Sequence, residues 1–458
     1  MSTAGNPSNT EPTPVKKPAD SISHNPPTVG KLERVGIPRP MAIGLVGVLL
    51  FMIGDGVEAG FIAPFIADHG AGSDVHASYV ITVYGVTVMI ASWLSGALSR
   101  VWGPRRVMQI GAVIWVVFEV LFLAIAVPQQ SYPLMIVFYG LRGFGYPLFA
   151  FGFLVWITAT TPSARLSSAV GWFYFAFTGG LPTLGSLFAS GVDGPLGFYG
   201  TLWCSLAIVA VGALVVMVGL KERTGYSRLA PADERPLASM VKSATIAWEN
   251  PKIGVGALVR IINTAPFAGF LVFLPRIYID KFGSSEFLNL IFLLGATNIA
   301  FNLLFGIVGD KFGWRRTITI VGSFGCTITT LLVYYLPQTP LGSAYWVSVV
   351  VFILFGATLA GFVPISALMP SLAPDNRGGA MALLNFGAGA AYFVGPLIVS
   401  VLLGPIGPGG VTIVFAALYL VSALGIAYMR LPKGVNQRDI GIDQAITAAP
   451  GAAHPTVT

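Results

Sequence analysis

Charge is scarce in this sequence, and so are the side chains that most often carry chemistry. Only 10% of its 458 residues are Asp, Glu, Lys or Arg, where soluble domains run to about a quarter. Cysteines number two and histidines four. Cys204 and Cys326 stand far apart, each inside an apolar segment, which argues against a disulfide or metal framework and leaves them as small packing residues. His24, His69, His76 and His454 fall in tails or outer turns, and no His/Cys group has ligand spacing, so no metal site and no catalytic residue is assigned. No Gly-x-x-x-x-Gly-Lys-Ser/Thr loop occurs, so ATP is not expected to drive the protein. The longest polar connection inside the apolar region, residues 221–252, is too short for a catalytic or signalling domain.

What abounds is apolar. The chain is 55% hydrophobic with a mean hydropathy of +0.77, and its 55 Gly and 32 Pro lie largely within apolar runs, where membrane helices tolerate both. Runs long enough to cross a hydrocarbon layer of about 30 Å recur. They are read at 41–67, 77–99, 107–127, 132–160, 166–190, 199–220, 253–279, 287–309, 317–336, 343–371, 379–403 and 411–430, which predicts an all-α integral membrane protein of twelve transmembrane helices. Residues 1–39 and 431–458 lack apolar runs and are expected to be disordered, solvated tails with no cleaved leader. The domain reading is thus a tail (1–39), a six-helix bundle (40–220), a linker (221–252), a second six-helix bundle (253–430) and a second tail (431–458).

The basic residues test that count. With the N-terminus placed in the cytoplasm, all but four of the 26 Lys and Arg fall on the inner side, in the tails and alternate loops. Arg276 and Lys281 fall outside, and Arg142 and Arg260 lie within spans. A wrong number of spans would scramble this asymmetry. Both termini are therefore expected in the cytoplasm of a cell inner membrane. The net charge of +7 reads as a topology signal, with no nucleic-acid surface implied.

The two halves repeat. Gly96-Ala-Leu-Ser-Arg-Val-Trp-Gly103-Pro-Arg105-Arg106 is matched 210 positions later by Gly306-Ile-Val-Gly-Asp310-Lys-Phe-Gly313-Trp-Arg315-Arg316. Pro162-Ser-Ala-Arg165 is matched by Pro374-Asp-Asn-Arg377, and Ala59-Gly60-Phe61 by Ala268-Gly269-Phe270, at nearly the same offset. Two parallel six-helix repeats are the plan of a major facilitator transporter. The second copy resembles the signature loop of that superfamily, which implies a gate at Asp310, Arg315 and Arg316, although plain topology-setting charge would also explain them. The first copy departs, with Arg100 where the family usually has Asp.

A narrower resemblance covers most of the spanning region. Gly54-Asp55-Gly56-Val-Glu58, Phe138-Tyr-Gly-Leu-Arg142-Gly-Phe-Gly-Tyr146-Pro147, Gly171-Trp172-Phe173 and Arg260-Ile-Ile-Asn263-Thr264 resemble the polyol porter family, which includes ribitol and D-arabinitol permeases. This implies import of an acyclic sugar alcohol by proton symport with alternating access, acting as a monomer in the bilayer without a cofactor beyond the coupling proton. The same branch includes permeases for 2-oxoglutarate, so symport of a small organic acid is the alternative.

Buried charge leads to the same place without the family. Five charged residues fall well inside spans: Asp55, Glu58, Glu119, Arg142 and Arg260. Each costs at least ~2.5–3.5 kcal/mol at a helix centre, so retention argues for use. Asp55 and Glu58, at i and i+3, are expected on one face, and Arg142 roughly 15 Å into its span, near the midplane. Two acids beside one guanidinium titrate as a coupled set, as a proton carrier requires; a static ion pair that fixes helix packing is the other reading. Glu119 is open between packing partner and second acid. Asp55, Glu58 and Arg142 are also candidate substrate contacts, together with Trp172, Arg260, Asn263, Asn298, Asn385 and Tyr392, although interhelical hydrogen bonding alone also explains such Asn residues. The acids have no counterparts in the second half, so the first half is expected to carry the proton and the second more of the substrate contacts.

Overall fold

A computed structural model of the chain describes residues 37, 41–161, 166–230 and 245–431. The tails, apart from Ile37 and Leu431, the turn holding Arg165 and the linker residues 231–244 lie outside the described residues, as do the side chains of Asp375 and Arg377.

Among the described residues nine helices are long and apolar enough to cross a membrane; they resolve into eleven spans, and a first span built from shorter helices makes twelve. Ser168–Gly219 and Gly379–Tyr428 each turn back once, at Gly197 and Gly407. The first span is formed by the shorter helices Ala42–Gly56 and Ile62–Ile66. The second is Asp74–Trp102, the third Pro104–Ala126 and the fourth Tyr132–Thr160. The seventh to tenth are Pro251–Phe282, Ser284–Phe312, Trp314–Gln338 and Tyr345–Leu372.

The repeat read from sequence is also a repeat of backbone conformation. Gly103 and Gly313, 210 positions apart, start the third and ninth spans at φ 92° and 107°, a region that favours glycine. Gly197 and Gly407, at the same spacing, turn the chain between fifth and sixth and between eleventh and twelfth spans at φ 66° and 65°. Side chains follow suit. Arg105 donates to the Met217 carbonyl at the end of the sixth span. Arg315, 210 later, donates to the Ile426 and Ala427 carbonyls at the end of the twelfth, at 3.0 and 2.9 Å. A guanidinium on the open carbonyls of a helix C-terminus is favourable on both charge and hydrogen-bonding grounds.

Apolar packing follows the halves. One buried cluster gathers Phe270, Phe273, Phe355, Phe415, Tyr419 and their neighbours between Ile246 and Met429, taking in Ala63 of the first span. Another joins Phe51, Trp115, Phe149, Phe153 and Trp156; Phe51 stacks on Phe149 with centroids 4.1 Å apart. Between the halves, the polar contacts of described residues lie toward the face opposite the start of the first span. Arg276 pairs with Asp68 and Asp74 at 2.8 and 2.9 Å. Ser284 donates to Asp193, Ser285 to the Ser190 carbonyl, and Ser400 bonds Ser78 and Thr82. On that face the halves are drawn together.

Candidate functional site

The first span is broken where its acids lie. Ala42–Gly56 gives way to an open stretch before Ile62–Ile66, and the amides of Ala59 and Phe61 reach back only three residues, to Gly56 and Glu58. Close packing accompanies the break: a Cβ on Gly56 would collide with the Leu181 carbonyl in the fifth span. The fourth span is broken too, between Tyr132–Arg142 and Gly145–Thr160. Irregular backbone at membrane depth must find partners inside the protein, and Thr87 of the second span donates to the Gly140 carbonyl at 2.5 Å. Arg142 therefore sits at the C-terminal end of a half-helix, buried with 0% exposure.

Three acids converge on that one guanidinium. Arg142 Nη1 donates to Glu58 Oε2 at 2.8 Å and to Glu119 Oε2 at 2.5 Å, and Nη2 donates to Glu58 Oε1. Glu58 Oε1 also accepts from the Tyr139 hydroxyl at 2.7 Å. Asp55 lies beside them and accepts from Trp115 Nε1 at 2.5 Å. The rings of Tyr139, Trp115 and Tyr84 stand 4.4, 4.8 and 5.5 Å from the guanidinium carbon, and aromatic faces favour a cation. Asp55, Glu58 and Glu119 are exposed by only 4, 3 and 0%.

The expectation that Asp55 and Glu58 act from one helix face is modified here. Because the helix stops between them, Asp55 meets the third span and Glu58 the fourth. Glu119, left open by sequence, is a full member of the cluster. Trp115, Tyr139 and Tyr84 were missed. Their signal was present: Trp115 lies one turn before Glu119, and Tyr139 one turn before Arg142.

Arg260 heads a second, different constellation. It is partly buried in the seventh span, and its Nη1 donates to Thr264 Oγ1 at 2.9 Å. Tyr174 of the fifth span and Tyr392 of the eleventh lie within its electrostatic reach, and Tyr392 is also within reach of Asp55. Tyr146 stands in reach of Tyr84, Tyr392 and Asp55. Among the described residues no carboxylate pairs with Arg260.

The remaining candidates are scattered. Asn263 and Asn385 are partly buried, and the Asn263 carbonyl accepts from Tyr419 at 3.1 Å. Asn298 donates to the Gly356 carbonyl of the tenth span at 3.1 Å and accepts from Asn302 at 3.2 Å, a packing contact between helices. Trp172 is exposed and lies edge-on to Phe175 at 5.7 Å. Of the gate candidates, exposed Asp310 accepts from Trp314 Nε1 at 2.8 Å, Arg315 holds the end of the twelfth span, and Arg316 is exposed. The contacts of Asp310 and Arg315 among the described residues stay within the second half. Among the described residues no group of His, Cys, Asp and Glu could hold a metal ion.

Comparison with known proteins places this architecture. The Major Facilitator Superfamily profile matches residues 44–374 and 256–453. The chain is 44% identical over 404 residues to the alpha-ketoglutarate permease of Bacillus subtilis (strain 168), covering 88% of this chain and 92% of that protein. It is 34% identical over 409 residues to the D-arabinitol transporter of Klebsiella pneumoniae, covering 89% and 96%. The crystal structure of a D-xylose-proton symporter superposes with a TM-score of 0.66 at 18% identity, over 85% of this chain and 97% of that one.

Proposed function

The chain belongs to the major facilitator superfamily and is a multi-pass membrane transporter, not an enzyme; from that premise we propose that it imports a small organic acid of the 2-oxoglutarate type together with protons. The observation that carries the substrate is Arg260. A guanidinium partly withdrawn from water is costly unless an anion meets it, and among the described residues its hydrogen-bond partner is the neutral Thr264 hydroxyl, with Tyr174 and Tyr392 in its neighbourhood. A substrate carboxylate supplies the missing charge in a two-pronged pair, the geometry a guanidinium is built for. Tyr174 and Tyr392 then offer hydroxyls to the substrate's other oxygens. Arg142 is unsuited to that role, because both of its terminal nitrogens are committed to Glu58 and Glu119. Similarity to a protein named alpha-ketoglutarate permease supports the reading.

Proton coupling rests on the cluster around Arg142. Three buried carboxylates face one guanidinium, so the fully ionised set carries excess negative charge in a medium that penalises it. Taking up a proton brings the set toward neutrality, and this is how a proton would be carried past the midplane. On this reading the transporter sits in the cell inner membrane with both termini cytoplasmic and works as a monomer. The face closed by Arg276, Asp68 and Asp74 is then the outer one.

An acyclic polyol is the second reading. Thr264, Tyr174, Tyr392 and Asn263 make a hydroxyl- and amide-rich surround that a sugar alcohol also satisfies, and the D-arabinitol transporter is a relative. Uptake of labelled 2-oxoglutarate into proteoliposomes, with ribitol, D-arabinitol and unlabelled 2-oxoglutarate as competitors, separates the two. Saturable uptake that unlabelled 2-oxoglutarate inhibits and the alditols do not supports the acid; no uptake of 2-oxoglutarate, or uptake that the alditols suppress better than 2-oxoglutarate does, overturns it.

A further inference from the structure

The coupling cluster holds three acids, and their hydrogen bonds are unequal. Glu58 receives three donors: Nη1 on Oε2, and both Nη2 and the Tyr139 hydroxyl on Oε1. That is the environment of an ionised carboxylate, which only accepts. A proton placed on it would weaken the two-pronged pair with Arg142. Glu119 receives one donor, Nη1, which it shares with Glu58. Its other oxygen, Oε1, is fully buried and has no hydrogen-bond partner among the described residues. As an anion Glu119 carries an unsatisfied charged oxygen away from water, among the more costly arrangements a protein interior can hold. As an acid it still accepts from Nη1 at Oε2, carries its proton at Oε1, and leaves Arg142 to Glu58.

We infer that Glu119 of the third span is the group that takes and releases the coupled proton, while Glu58 stays ionised against Arg142. The assignment rests on the proton-coupled reading above and narrows it to one atom. An O–H bond forms at Oε1 with a proton drawn from water on one side of the membrane, and breaks by returning that proton to water on the other. In the state described here Glu119 is closed off from water, so its proton is occluded. The groups that face it are Arg142 and Tyr139 from the fourth span and Glu58 and Asp55 from the first. Trp115, one turn earlier on the third span, holds Asp55, so the third span both carries the proton and fixes the neighbouring charge. The second span adds Tyr84, which faces Asp55, Glu58, Tyr139 and Arg142.

Reconstituted protein tests this with two assays of 2-oxoglutarate: exchange at equal pH, and accumulation driven by a pH gradient with an internal pH dye. Glu119→Gln is expected to exchange substrate, with a rate that no longer varies between pH 6 and 8, and to lose about tenfold or more of accumulation and proton influx. Glu119→Asp should restore gradient-driven accumulation with a displaced pH profile. Wild-type-like accumulation in Glu119→Gln overturns the assignment, as does loss of coupling in Asp55→Asn with coupling intact in Glu119→Gln. If Glu119→Gln neither exchanges nor accumulates yet melts at the wild-type temperature, Glu119 is part of substrate binding and the assignment fails. Should that variant not fold, Glu119→Asp decides alone, and an unaltered pH profile there overturns the proposal. Wild-type accumulation without proton movement removes the coupling reading itself, a result distinct from failure of Glu119 within a coupled carrier.

Discussion

Glu58 and Glu119 accept from the same nitrogen, Nη1 of Arg142, at 2.8 and 2.5 Å. The two acids come from different helices, so one guanidinium ties the first, third and fourth spans together at the depth where the first and fourth are broken. Removing the shared donor leaves both acids, and Asp55 beside them, without a counter-ion. Removing either acid leaves Arg142 one partner.

An order of stabilities follows. Arg142→Ala should be the most destabilising change, by about 3–5 kcal/mol, and Glu58→Ala should come next, because it also strands the Tyr139 hydroxyl. Glu119→Ala should cost least. Arg142→Lys keeps the charge but cannot bridge two carboxylates in the same fork and should fall between the extremes. Thermal unfolding of the purified variants in one detergent checks the ranking; Glu119→Ala melting below Glu58→Ala would contradict it.

The substrate pair makes a second prediction. Charge-assisted bonds of this kind are worth about 1.5–3 kcal/mol, so Arg260→Ala should lower kcat/KM for 2-oxoglutarate by roughly 10- to 100-fold at 25 °C. Arg260→Lys should recover part of that. The loss should appear mainly in KM, because the contact is present in the bound state rather than formed during movement. If Arg260→Ala transports 2-oxoglutarate with unchanged KM, the carboxylate is held elsewhere.

How much of this was legible beforehand follows the range of the forces involved. Hydropathy and the distribution of Lys and Arg are summed over many residues, and they placed twelve spans. The offset of 210 was readable because glycines with positive φ, such as Gly103 and Gly313, admit few substitutes and so survive in both copies. The five intramembrane charges stood out because each is costly. Which charge meets which was beyond reach, since it depends on where helices stop. The first helix of the first span ends at Gly56, where the fifth span approaches it, a contact between residues far apart in sequence. Without that break Asp55 and Glu58 look like one pair, and Glu119 looks peripheral. Trp115 and Tyr139 carry no mark of their donor role in the sequence, since a ring that donates one hydrogen bond has the same periodicity as a ring that donates none.

The closed face supports a third prediction. Arg276 pairs with Asp68 and Asp74, yet its side chain is 38% exposed and theirs 59 and 26%. Pairs this open contribute about 0.2–1 kcal/mol each and are screened by salt. Arg276→Gln, which removes both pairs, should therefore raise the open-to-closed ratio at this face about two- to thirtyfold, and high salt should move the wild type the same way. Spin-label distances between the 67–72 turn and the 282–284 turn report that population directly. No change in the distance distribution in either case would show that the Ser284–Asp193, Ser285–Ser190 and Ser400 contacts hold the face without the Arg276 pairs.

The last prediction uses the repeat as its own control. Gly197 and Gly407 have φ of 66° and 65°, and a Cβ built on either meets nothing within 4 Å. With ψ of 171° and 176° both lie in a region essentially reserved for glycine, so alanine at each is opposed by backbone conformation alone, at roughly 1–3 kcal/mol, with no clash to confuse the measurement. Gly197→Ala and Gly407→Ala should thus lower the melting temperature by a few degrees each and by similar amounts. Gly56→Ala should cost more, because its Cβ runs into the Leu181 carbonyl and must push the first span off the fifth. A pair of unequal shifts at 197 and 407 would mean that the two turns, alike in dihedral angle, are loaded differently by the halves they close. That outcome would in turn locate the half that unfolds first.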